Sequence, residues 1–80
     1  MILREAFYRD LPGERTKFDY GTRTDGNPVY MGHAKLGTPF EAPEWTVTFF
    51  KYDTSGNIDE GYCLKGIKWT DRAVLFLEYV

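Results

Sequence analysis

The segment Trp45-Thr46-Val47-Thr48-Phe49-Phe50-Lys51-Tyr52 constrains the fold more than any other part of the chain. It is rich in β-branched and aromatic residues, with Trp45, Val47 and Phe49 on one face at a period of two. The residues that follow, Asp53-Thr54-Ser55-Gly56, have aspartate and glycine at the first and last places of a turn. A hairpin is therefore expected. If Tyr52 and Asn57 close its loop, Tyr62 falls opposite Val47 and Leu64 opposite Trp45, which sets apolar against apolar. A loop longer by one residue would set Tyr62 and Leu64 against Thr48 and Thr46, so the hydrophobic pattern favours the shorter loop. Gly61 and Gly66 punctuate the returning strand and point to a bulge or a close backbone approach.

The other segments read less sharply. Val29 to Ala34 is a short strand interrupted by Gly32, and Lys35 to Glu44 is a connector containing Gly37, Pro39 and Pro43. Tyr20 to Pro28 reads as a loop around an Asp25-Gly26 turn, and Arg15 to Tyr20 is mixed. Thr70-Asp71 makes a turn into Arg72 to Val80, which alternates as a strand with Leu75, Leu77 and Tyr79 on one face and Val74, Phe76 and Val80 on the other. Both faces of that strand are apolar, so the second needs a cover. Met1 to Pro12 places Ile2, Leu3, Ala6 and Phe7 at spacings that suit one helical face or an extended arm, ended by Leu11-Pro12-Gly13-Glu14. The expected architecture is a single all-β domain: an N-terminal arm over residues 1–14, then over residues 15–80 a small antiparallel sandwich or barrel of four to five strands.

Size turns this pattern into a statement about partners. A chain of 80 residues buries only about 60% of the surface exposed by its unfolded form and sits near the limit of independent folding. Disulfide support is not open to a chain whose one cysteine is Cys63, and His33 with Cys63 makes at most half of a zinc tetrahedron. Docking or oligomerisation remains. A net charge of -2 argues against a nucleic-acid footprint. No membrane segment is present, and the early charges Arg4 and Glu5 do not suit a secretory leader, so synthesis in a cytoplasm is expected.

Chemistry-bearing patterns are sparse. A His33/Cys63 pair would need the fold to bring the two together with an orienting group. Asp53, Asp59, Glu60 and Asp71 read better as solubilising charges than as paired catalytic carboxylates. Gly21 to Gly26 lacks the ending of a phosphate loop, and no Asp/Asn-bearing loop has the calcium-hand spacing. No enzymatic activity, cofactor or metal is expected. The aromatic set is the stronger signal: Phe50 and Tyr52 lie opposite Trp45, Val47 and Phe49, where they are either covered by the rest of the chain or presented to a partner, a peptide or a glycan.

The order Tyr30-x-Gly32-x-Ala34, a Pro/Gly connector, Trp45-x-Val47, Tyr52-Asp53-x-x-Gly56-Asn57 and Trp69-x-Asp71-Arg72 resembles a short protein or domain that recurs in tailed-phage and prophage genomes. The resemblance covers about Tyr20 to Tyr79. It departs from the usual Trp-Asp-Asp-Arg ending at Thr70, and the first nineteen residues lie outside it. It implies a structural or adaptor role in a virion: capsid decoration, neck, tail or fibre attachment, in contact with other virion proteins as a symmetric assembly or homo-oligomer. The alternative is a free-standing binding module for a peptide or glycan. The residues expected at the interface are Ile2, Leu3, Phe7, Phe50, Tyr52, Val74, Phe76 and Val80, with neither nucleic acid nor membrane as partner.

Overall fold

The computed structural model describes residues 13–79. Four antiparallel strands form one sheet in sequence order: β1 (Glu14–Asp19), β2 (Tyr30–Lys35), β3 (Trp45–Tyr52) and β4 (Ile58–Ile67). The all-β class is as expected. The layer that covers the sheet, however, is made of helical turns and a loop in place of further strands. After β4 come a turn of 3₁₀ helix (Trp69–Asp71), a short α-helix α1 (Arg72–Leu75) and a second 3₁₀ turn (Leu77–Tyr79).

The central hairpin forms, with the apolar faces matched as expected and the register displaced by two residues. Val47 pairs with Leu64 and Phe49 with Tyr62. One residue of the displacement comes from the loop, which runs from Asp53 to Asn57 and closes at Tyr52 and Ile58. Its Asp53 carboxylate accepts the backbone N–H groups of Ser55 and Asn57, both at 2.9 Å, while Gly56 takes a φ of +88°. The other comes from a bulge that leaves Asp59 between the Tyr52–Ile58 and Lys51–Glu60 pairs. An even displacement leaves every side chain on its original face, which is why the hydrophobic pattern survives. A second irregularity falls where Trp45 pairs with Ile67, beside Gly66 at a φ of +69°.

β1 is a strand that its sequence hid. Pairing of Arg15 with Ala34, Lys17 with Gly32 and Asp19 with Tyr30 puts three of its four charged residues on the covered face of the sheet. Such a placement is tolerable at an edge, where long side chains lay their stems over apolar rings and keep their heads wet. The Arg15 guanidinium lies 4.6 Å from the centre of the Phe40 ring and donates to the Thr38 carbonyl at 3.0 Å.

The core lies on that covered face. Ala34, Trp45, Val47, Phe49, Trp69 and Phe76 are its buried residues. Expected as a strand, the segment from Arg72 onward is helical instead, with a physical reason visible in its spacing. Trp69, Arg72, Phe76 and Tyr79 recur every three or four residues and so share one side of a helix. On the sheet this side meets Tyr30, Phe49 and Tyr62, with ring centres 4.6 to 5.9 Å apart in the Tyr30–Phe76, Phe49–Phe76 and Tyr62–Tyr79 pairs. Gly32 makes the packing possible, because a Cβ there would lie 2.4 Å from the Trp69 ring and 3.0 Å from that of Trp45. The interruption read in β2 is the floor on which the indole rests.

Candidate functional site

The Tyr-x-Gly-x-Ala, Trp-x-Val and Trp69 parts of the sequence pattern converge on the core, whereas its Tyr52-Asp53-x-x-Gly56-Asn57 part forms the end of the β3–β4 hairpin outside it. Tyr30, Gly32 and Ala34 line the covered face of β2, Trp45 and Val47 that of β3, and Trp69 closes over them. Arg72 fastens the lid: its guanidinium donates to the Asp19 carboxylate at 2.7 and 3.0 Å and to the Trp69 carbonyl at 2.9 Å, while lying 4.3 Å from the Trp69 ring centre. Burial alone would raise the Asp19 pKa, but the Gly21 N–H and Arg72 outweigh it and hold the carboxyl below its usual range. Burial pushes the Tyr30 hydroxyl up. The Trp45 indole N–H donates to the Pro39 carbonyl at 2.9 Å, which ties the connector to the same core.

The interface residues expected from sequence fare differently. Ile2, Leu3, Phe7 and Val80 lie outside the described residues. Phe76 has no exposed surface; it belongs to the core, because the helical period turns it inward where a strand would have turned it out, and its assignment to an interface is corrected. Val74 is 69% exposed. Sequence reading missed its neighbours Leu75 and Leu77, which are exposed at 39% and 63%. A period of two assigned Leu75 and Leu77 to the face of Tyr79; the helical period, once recognised from Trp69, Arg72, Phe76 and Tyr79, would have sent them outward.

Phe50 and Tyr52 are half-buried on the face of the sheet opposite the core. The loop between β1 and β2 engages Tyr52. Its hydroxyl donates to the Pro28 carbonyl at 2.5 Å, and the Arg23 guanidinium, paired with Asp25 at 2.5 Å, stands 3.7 Å over its ring. Burial raises the Tyr52 pKa, against the pull of Arg23. The same face carries half-buried Phe18, Met31, Thr46 and Thr48 and the exposed thiol of Cys63.

His33 and Cys63 both occupy this face, on β2 and β4, but His33 is engaged by β1: its ring meets the Glu14 carboxylate through Nε2 and the Thr16 hydroxyl through Nδ1, the latter at 3.2 Å. The arrangement is a cross-strand polar tie on an edge pair. Among the described residues no group of three or more His, Cys, Asp or Glu side chains is placed to hold a metal ion, and no helix is long and apolar enough to cross a membrane. Compared with known proteins, the chain matches no family model, no curated protein and no solved structure.

Proposed function

We propose that the chain is a non-enzymatic structural or adaptor component of a tailed-phage virion, made in the host cytoplasm and acting by packing against other virion proteins. The observation that carries the packing role is the apolar ridge of Val74, Leu75 and Leu77, exposed on helical turns whose other side is anchored in the core. Apolar side chains grouped on a rigid support are a feature of protein interfaces. The phage setting rests on the resemblance over Tyr20 to Tyr79.

Support for the second reading, a free-standing module that binds a peptide or glycan through Phe50 and Tyr52, is weaker. Tyr52 already has its hydroxyl on Pro28 and a guanidinium over its ring, so only Phe50 is left to stack on a ligand.

The test is mass spectrometry of purified particles that carry either the native chain or a Val74→Asp/Leu77→Asp variant. Both positions are exposed, so the variant should keep its stability to within roughly 0.5 kcal/mol per site. The native chain is expected in the particle and the variant is expected to be lost from it. Incorporation of the variant at the native level would remove the ridge from the interface, and absence of the native chain would end the virion reading.

A further inference from the structure

We propose that the free edge of β4 pairs with β4 of a second copy, antiparallel, in a two-fold dimer centred on Tyr62. β4 ends the sheet, so its outward backbone N–H and C=O groups have no strand partner among the described residues. Such an edge is a template for another strand, and the side chains it carries decide which strand and in which direction.

Along β4 the charge is divided. Asp59 and Glu60 stand at its start, Lys65 near its end and Lys68 just beyond. Glu60 has Lys51 at 3.8 Å, whereas Asp59, Lys65 and Lys68 form no ion pair among the described residues. A parallel neighbour would set acid against acid and base against base. An antiparallel copy sets the acidic end of each strand against the basic end of the other, twice over.

The register follows from the strand itself. The two irregularities, at Asp59 and beside Gly66, bracket a regularly paired run from Glu60 to Leu64, whose middle residue is Tyr62. With Tyr62 on the axis, Gly61 comes opposite Cys63 of the second copy, and the irregular ends of the run bring Asp59 toward its Lys65. The other edge offers less self-complementarity, since both acids of β1 are already engaged, Glu14 by His33 and Asp19 by Arg72, which leaves the cations Arg15 and Lys17 to be set against those of a copy. A two-fold pairing also closes on itself, giving one eight-stranded sheet and no open fibre. The dimer stands apart from the virion reading, because it is a property of the isolated chain.

Sedimentation velocity of the full chain at low salt, over a range of concentrations, tests the pairing. A reversible dimer is expected. Asp59→Lys and Lys65→Asp each replace two attractive contacts by two repulsive ones and should weaken it roughly tenfold. The double variant Asp59→Lys/Lys65→Asp should dimerise as the native chain does, and the two single variants mixed together should pair with each other. A monomer at all concentrations overturns the proposal, as does a dimer indifferent to both single reversals.

The register has its own test in Gly61→Cys. A Cβ at Gly61 meets only Phe50 at 3.9 Å and Thr48 at 4.0 Å, which is ordinary contact. The new thiol would face Cys63 of the second copy, so oxidised glutathione, itself reduced to the thiol, should convert the variant to a disulfide-linked dimer on a non-reducing gel. In the native chain the two Cys63 residues lie on a diagonal of about 7–8 Å, beyond easy disulfide reach, and should cross-link far more slowly. A Gly61→Cys chain that cross-links no faster than the native one overturns the register.

Discussion

Single residues carry this fold in ways that their chemistry predicts. Gly32→Ala would push a methyl group into the Trp69 ring, and overpacking of this kind costs about 1–3 kcal/mol; urea unfolding should show the loss with an unchanged slope. Arg72 combines a fork of hydrogen bonds to Asp19 and Trp69 with a guanidinium plane over an indole, so Arg72→Lys should destabilise nearly as much as Arg72→Met. Asp19 links the same contact to pH. Its pKa is lowered by folding, so its contribution is fully present above the unfolded value of about 4 and is lost as pH falls through the lower folded value. Thermal melts from pH 7 downward should therefore show a smaller acid-induced drop for Asp19→Asn than for the native chain, from a lower starting stability.

At the scale of elements, the β3–β4 hairpin is the most self-sufficient part of the molecule, held by a loop built on one carboxylate. Asp53→Ala removes the acceptor for the Ser55 and Asn57 N–H groups and should cost about 1 kcal/mol, read as a shift in the unfolding midpoint. The helical turns from Trp69 to Tyr79 are the opposite case. Too short to hold together alone, they persist because Trp69, Phe76 and Tyr79 are pinned to the sheet. Phe76→Ala should cost about 3–5 kcal/mol, enough to threaten the whole of a small domain's stability. Circular dichroism should then show these turns lost together with the native fold.

For the whole molecule, sequence patterning was legible wherever the governing interactions are local. The alternation of Trp45 to Tyr52, the turn at Asp53 to Gly56 and the bulge signal at Gly66 all act within a few residues, and together they sufficed for an antiparallel all-β chain with the correct faces paired. Even the register error was of even size, because the face of each side chain is set by the pleat. Three features depended on contacts between distant segments: β1 as a strand, the helical state of the end, and the exposure of Val74, Leu75 and Leu77; the two-residue displacement came from the fine geometry of the hairpin loop and its bulge. β1 reads as mixed because its charges serve an edge, and it is a strand only because β2 offers it a ladder. Rich in valine, leucine and aromatic residues, the segment after Arg72 suits a strand by composition. It becomes helical because an uncovered sheet face, with a hole at Gly32 shaped for Trp69, rewards a segment that presents Trp69, Arg72, Phe76 and Tyr79 on one side. Local pattern thus determined the β3–β4 hairpin and its faces. Burial of the single core, a property of the chain as a whole, decided what covers them and which apolar residues are left outside.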